Sequence, residues 1–205
     1  MTTKYKKFGK RLFDIVCSLS GLIILLPFLI LISLLIKVFS PGPIFFLQER
    51  MGMGGNIFKL IKFRSMRISS MQEKNNFTPG DTTRITRLGK FIRRTKIDEL
   101  PELINVLRGE MSLVGPRPEV PEYRNLYAGK YDDVLTLRPG ITDWASIKYC
   151  NEEELLAKSS NPEAIYLNKI FWDKLEMNLE YVKNMSFWTD LRILFATVLR
   201  IIAPG

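Results

Sequence analysis

The chain has 205 residues, 46% of them hydrophobic, and carries 30 basic against 21 acidic side chains, a formal charge of +9. That balance favours anionic partners: nucleic acid, an acidic membrane surface or phosphorylated substrates. Histidine is absent, which excludes it as base, nucleophile or metal ligand and leaves acid–base and metal chemistry to carboxylates. Cys17 and Cys150 match no zinc or redox spacing and read as unpaired thiols in a reducing cytoplasm.

Lys4, Lys6, Lys7, Lys10 and Arg11 form a basic leader, and from Ile15 to Ile36 the chain is uncharged and long enough to cross a bilayer core. A cleaved signal peptide would share that leader, but the apolar run exceeds a signal core and no small-residue cleavage site follows. A buried soluble helix is the second rival. Lys37, Arg50, Lys59, Lys62, Arg64 and Arg67, beyond the run, favour the same cytoplasmic side as the leader. Pro27 interrupts the hydrogen-bond ladder near the middle of the run. A helix bent there, entering and leaving by one leaflet, satisfies both basic flanks. A proline-kinked transmembrane helix is the alternative, because membrane helices tolerate proline.

Ser40-Pro41-Gly42-Pro43 marks a boundary, giving residues 1–40 as leader and membrane helix and 41–205 as a soluble domain. Ile44 to Leu47 and Asn56 to Arg64 read as short strands joined by a glycine-rich turn from Met51 to Gly55. Ser69 to Thr83 reads as a polar loop. Arg84 to Arg94 reads as a basic amphipathic helix with Ile85, Leu88 and Ile92 on one face, suited either to an anionic membrane surface or to packing on the domain. Pro101, tolerated in a helix's first turn, predicts a helix starting near Asp98, with Leu100, Leu103, Ile104 and Leu107 as its core stripe and Gly109 as its stop. Leu137 to Ile141 reads as a second tight turn carrying Arg138. Residues 152–183 read as helical apart from a break at Asn161-Pro162, and Phe187 to Ile202 as a further amphipathic helix.

The adjacent carboxylates of Asp98 and Glu99 point in different directions from a helix's first turn, so one can act on substrate while the other holds a hard cation such as magnesium. Arg93, Arg94, Arg117 and Arg138 supply forked donors for phosphate oxygens. An aspartate can also attack phosphorus to form an acyl phosphate. Acidic residues at a helix start often serve only the macrodipole. Here their convergence with arginines, a basic surface and an anchor favours phosphoryl-type transfer beside a membrane.

These residues resemble the bacterial sugar transferases, the small monotopic phosphoglycosyl transferases. The resemblance runs through Lys10-Arg11-Leu12-Phe13-Asp14, Pro43-Ile44-Phe45-Phe46 with Gln48, Arg50 and Gly52, and Lys62-Phe63-Arg64-Ser65-Met66. It is most specific from Asp98-Glu99-Leu100-Pro101 to Gly115-Pro116-Arg117-Pro118, and at Arg138-Pro139-Gly140-Ile141-Thr142 with Trp144-Ala145. It implies a mainly α fold with short β segments (α+β): a re-entrant membrane helix plus a compact cytoplasmic domain with amphipathic interfacial helices, at the bacterial inner membrane. It implies transfer of a phosphosugar from a nucleotide sugar, normally a UDP-sugar, to undecaprenyl phosphate with release of UMP. Asp98 would be the nucleophile, Glu99 a magnesium ligand, and Arg93, Arg117 and Arg138 phosphate contacts, with Pro27 setting the membrane bend. Leu26 stands where the family often has serine, Asp143 and Ser146 where glycine and glutamine are common, and Asn178 where some members have aspartate. An oligomer is compatible with the sequence. The contrasting reading is a non-enzymatic basic anchor for anionic lipid or nucleic acid. It leaves the carboxylate pair unexplained, and the chain lacks the interleaved aromatic–basic pattern of a nucleic-acid platform.

Overall fold

A computed structural model describes residues 5–67, 84–127, 129, 131–157 and 159–202. The loop expected over 69–83 lies outside them. The fold is mostly helical with two small two-stranded sheets.

After a π-turn at Tyr5–Gly9, helix α1 runs from Lys10–Phe39 with Pro27 inside it. It is the one helix among the described residues long and apolar enough to cross a membrane, and only 17% of its most apolar stretch is buried against the protein. That exposure counts against a soluble core helix. Its contacts with the domain concentrate towards both ends. Near the start, Asp14 and Ser18 are buried, and Arg11 donates to the Val106 and Leu107 carbonyls at 2.6 and 2.9 Å. Near the end, Ile32 and Ile36 pack with Phe63 and Ile92. The helix stops at Ser40, where the Arg64 guanidinium donates to the carbonyls of Ser40 and of Pro41.

Strands β1 (Phe45–Met51) and β2 (Ile57–Phe63) form an antiparallel hairpin with Leu47 opposite Ile61. β1 extends beyond the expected Ile44 to Leu47. The hairpin turn uses Gly54 and Gly55, both at positive φ (69° and 75°), where a β-carbon would be strained. Helix α2 (Arg87–Arg94) starts later than expected, because Thr86 caps it by accepting the Gly89 amide at 2.8 Å, while Ile85 bridges to Met66. Of its two expected roles, packing is observed: Ile92 is fully buried.

The expected helix at Asp98 is divided. A 3-10 turn spans Ile97–Glu99, and helix α3 begins only at Glu102–Arg108, ending at Gly109 with φ 85°. Pro101 explains the division: with no amide hydrogen it cannot donate back to Ile97, and the Leu100 amide takes that carbonyl at 3.2 Å instead. The expected core stripe of α3 is only half-buried. Its buried face carries Glu102, Asn105 and Val106.

β3 (Ser112–Val114) and β4 (Gly140–Thr142) pair in parallel, Ser112 opposite Gly140 and Val114 opposite Thr142. The second tight turn therefore continues into a strand. Here the chains approach so closely that a β-carbon on Gly140 would lie 2.1 Å from the Gly115 nitrogen. Helices α4 (Trp144–Lys148), α5 (Glu152–Ala157), α6 (Pro162–Ile165), α7 (Phe171–Asn184) and α8 (Phe187–Ile202) follow, with a π-turn at Tyr166–Ile170 before α7. The Asn161-Pro162 break is the cap of α6: the Asn161 side chain accepts the Ala164 amide at 3.1 Å. One core gathers Met51, Tyr127, Val134, Tyr166, Phe171 and Leu175; a second joins Phe58, Leu60, Val106, Met111, Tyr181 and Ile193.

Candidate active site

The site lies where α3 meets the free edge of β2. Asn105 makes that junction by imitating a strand: its Oδ1 accepts the Ile61 amide at 3.0 Å and its Nδ2 donates to the Lys59 carbonyl at 2.8 Å. A buried backbone edge needs such partners, and satisfying it from α3 lays the first turn of that helix beside Lys62. The Lys62 ammonium then sits 2.9 Å from Glu99 Oε1 and 3.4 Å from Glu102 Oε1. On the other side of Glu99, Arg117 Nη2 pairs with Oε1, and its Nη1 lies 3.4 Å from Oε2.

Arg117 is held from three directions. Its amide donates to Asp143 Oδ2 at 3.2 Å, its guanidinium to the Ile141 carbonyl at 3.3 Å, and its fork faces Glu99. Asp143 also caps α4 by accepting the Ser146 amide at 2.6 Å. The aspartate that departs from the usual family glycine is thus bonded to both the Gly-Pro-Arg-Pro turn and the following helix.

Asp98 differs from its neighbour. It is 8% exposed, and its Oδ1 has no hydrogen-bond partner. Burial pushes the Asp98 carboxyl up; Lys62 pulls it down, the Glu99 charge raises it, and Lys96 and Arg93 lower it. For Glu99 burial also raises the pKa, but Arg117 and then Lys62 outweigh it and hold the group well below the usual carboxylate range. Glu99 is firmly ionised, whereas Asp98 is a poorly solvated carboxylate with a free oxygen. Environment separates two adjacent acids into distinct chemical types.

Of the residues singled out from sequence, Asp98, Glu99 and Arg117 come together, and Arg93, in the last turn of α2, acts on Asp98 through its charge. Arg138 does not join them: its Nε donates at 2.8 Å to the Gly109 carbonyl, at the far end of α3. Sequence reasoning gave no site role to Lys62, Lys96 or Glu102. Lys62 left two signals: it lies between apolar Ile61 and Phe63 in an expected strand, and it opens the Lys62-to-Met66 stretch of the family resemblance. Lys96 left none. It adopts left-handed backbone (φ 57°), unusual for a non-glycine residue, and so turns the chain from α2 into the Ile97–Glu99 turn.

For magnesium, the donor chemistry fits a limited role. Among the described residues no group of three His, Cys, Asp or Glu side chains forms a closed cage. Magnesium is commonly bound through one or two carboxylates with water and substrate phosphates supplying the rest. An ionised Glu99 beside Asp98 meets that requirement.

The arrangement sets an unpartnered buried carboxylate beside an ion-paired one and the cations of Lys62 and Arg117, in a protein with an exposed apolar helix. The family model described as bacterial sugar transferase matches residues 5–204. The UDP-glucose:undecaprenyl-phosphate glucose-1-phosphate transferase of Escherichia coli K12 is 39% identical over 196 residues, covering 93% of this chain and 39% of that protein. The UDP-N-acetylgalactosamine-undecaprenyl-phosphate N-acetylgalactosaminephosphotransferase of Aeromonas hydrophila is 36% identical, covering 93% of this chain and 43% of that one. The exopolysaccharide production protein PSS of Rhizobium leguminosarum bv. phaseoli is 38% identical, with 96% of each chain covered. The chain belongs to the bacterial sugar transferase family. It spans about 40% of the length of the first two of these relatives.

Proposed function

We propose that this protein transfers a hexose 1-phosphate from a UDP-sugar to undecaprenyl phosphate at the inner membrane, through a covalent intermediate on Asp98. The observation that carries the reading is the buried, unpartnered Oδ1 of Asp98 set beside the Glu99–Arg117–Lys62 cluster. The relatives' names supply the substrate class: two are named for UDP-sugars and undecaprenyl phosphate, one with glucose and one with N-acetylgalactosamine.

In the first half-reaction Asp98 Oδ1 attacks the phosphorus attached to the sugar. The bond to the bridging diphosphate oxygen breaks, and UMP leaves with that oxygen. Sugar phosphate remains as an acyl phosphate on Asp98. In the second, a phosphate oxygen of the lipid attacks the same phosphorus and the Asp98 carboxylate is released. Arg93 and Lys96 offset the charge of the incoming phosphate at Asp98, while Arg117 and Lys62 keep Glu99 ionised. Magnesium held by Glu99 would neutralise diphosphate charge during the first step. Arg138 Nε is bonded to the end of α3, and no step of this route is assigned to Arg138.

Topology follows the same reading. Asp14 and Ile36 are 22 residues apart, roughly 33 Å along a helix at 1.5 Å per residue, and both ends are buried against the same domain. One domain cannot occupy both sides of a bilayer, which supports α1 dipping into one leaflet from the cytoplasmic face. Cysteine labelling before and after α1 then reports a single side; opposite sides would mean a span.

The chemical test is rapid-quench mass spectrometry of purified protein mixed with UDP-sugars in the absence of lipid acceptor. A sugar-phosphate adduct on the peptide containing Asp98, with UMP released in equal amount, is the expected result. Asp98→Asn abolishes both. Transfer by Asp98→Asn near the wild-type rate would overturn the covalent route.

A further inference from the structure

Glu99 must hold a divalent cation in the proposed function, yet two side-chain cations already face it. Lys62 Nζ is 2.9 Å from Glu99 Oε1, and Arg117 pairs with the same oxygen. A dication bound there would meet the Lys62 ammonium at contact distance, where like charges repel strongly in a poorly solvated site. Arg117 is fastened by its backbone and by the Ile141 carbonyl. Lys62 has an alternative: Glu102 Oε1 lies 3.4 Å from the same ammonium and has no hydrogen-bond partner.

Glu102 is otherwise hard to explain. It is 1% exposed, on the buried face of α3, and its counter-charge Lys62 already stands closer to Glu99, so burying this carboxylate is costly. A neutral residue would fill that space more cheaply. Its value lies in where it stands relative to Lys62.

We propose that Glu102 is a positioning residue for cation binding: when a divalent cation binds Glu99, the Lys62 ammonium moves from Glu99 to Glu102, and this exchange keeps the site near charge balance. It rests on Glu99 being the magnesium ligand. No bond to substrate is involved, and Glu102 acts only through Lys62.

The test is a double-mutant cycle on metal affinity, using Mn²⁺ as probe and electron paramagnetic resonance of the full chain in detergent as readout, with no sugar donor present. Glu102→Gln keeps shape and removes the acceptor charge; it is expected to weaken Mn²⁺ binding about tenfold or more, the usual cost of losing a residue that supports a metal ligand. In a Lys62→Met background the same Glu102→Gln change should alter affinity less than about twofold, because the residue it acts through is gone. An equal loss in both backgrounds would make Glu102 a direct ligand or a general electrostatic contributor, and the exchange is refuted. Unchanged affinity in Glu102→Gln refutes it as well. Should that variant fail to fold, as judged by its thermal midpoint without metal, Glu102→Asp is compared instead and is expected to lose affinity only in the presence of Lys62. If wild type binds no Mn²⁺, the metal assignment of Glu99 falls together with the exchange. The Asp98 adduct experiment, run without lipid acceptor, still judges the covalent route separately.

Discussion

Asp14 offers the sharpest quantitative test of how α1 is fixed to the site. Its carboxylate is 1% exposed; Oδ1 accepts the Leu113 amide at 3.1 Å and Oδ2 accepts the Ser112 hydroxyl at 2.8 Å. Lys10 stands 3.3 Å from Oδ1 but also pairs with Asp190 at 2.8 Å, so removing Asp14 does not leave the lysine alone. The Ser112 hydroxyl likewise has the Val114 carbonyl at 2.9 Å as a second acceptor. Asp14→Ala therefore orphans one group, the Leu113 amide, at a cost of about 1–3 kcal/mol, and deletes hydrogen bonds to a charged acceptor worth about 1.5–3 kcal/mol. The total, roughly 2.5–6 kcal/mol, lowers the thermal midpoint of a domain of this size by about 5–25 °C. Asp14→Asn keeps an acceptor for the Leu113 amide and should lose less than half as much. The assay is thermal unfolding in detergent, followed by turnover at a temperature where both variants are folded. Equal losses for the two variants, or a shift below about 2 °C for Asp14→Ala, would refute this account of the buried carboxylate.

Asp98→Asn should unfold at higher temperature than wild type at neutral pH while being inactive, because burial disfavours the Asp98 charge; a lowered midpoint would refute this. Glu102 is pushed up to about 7 by burial, with Lys62 opposing and Glu99 adding to the rise. The folded protein thus binds its proton more tightly than the unfolded chain, and this group's contribution to stability declines as pH rises from about 4.5 towards about 7. Unfolding midpoints across that range should fall in wild type by an amount corresponding to roughly 1–3 kcal/mol and fall less in Glu102→Gln; parallel curves would refute it. Gly140→Ala, whose new β-carbon meets the Gly115 backbone at 2.1 Å, should separate β3 from β4 and reduce both soluble yield and transfer, measured by expression and UMP release. A fully active Gly140→Ala enzyme would overturn that close approach.

The parts legible in the sequence are those governed by local rules. Two short strand-like runs and a glycine-rich turn located the β1–β2 hairpin, the Asn161-Pro162 pair located a break in the helical region, and the 3.6-residue period located α8. The β3–β4 pairing was not legible, since three-residue strands 25 residues apart carry no periodic signal of their own. The stripe of α3 misled for a physical reason. Its apolar residues are half-buried because its buried face is used by Asn105 to satisfy the β2 edge and by Glu102 to meet Lys62. Arg138 shows the same limit: the sequence of a Pro-Gly turn gives no sign that the Nε of its arginine bonds a helix-terminal carbonyl. Asp98 and Glu99 could be named from sequence, but their unlike environments depend on Arg117 and Lys62, brought in from distant elements.

The connection from α1 to the site is short and largely polar. Asp14 bonds to β3, and β3 leads directly into the Gly115–Pro118 turn that carries Arg117. Arg11 binds the last carbonyls of α3, the helix that presents Glu102. The middle of α1 exposes Ile23, Ile24, Leu26, Ile30 and Leu31, a surface that water penalises and hydrocarbon does not. Directional hydrogen bonds tolerate little sliding, whereas apolar contacts with lipid tolerate much. The depth of α1 in a leaflet would therefore be transmitted through Asp14 and Arg11 to the height of Arg117 and Asp98. In the proposed reaction a soluble donor and a lipid phosphate would meet at Asp98 only if that height matched the headgroup layer, which would give a functional reason for a buried carboxylate at a helix position where an apolar residue would pack more cheaply.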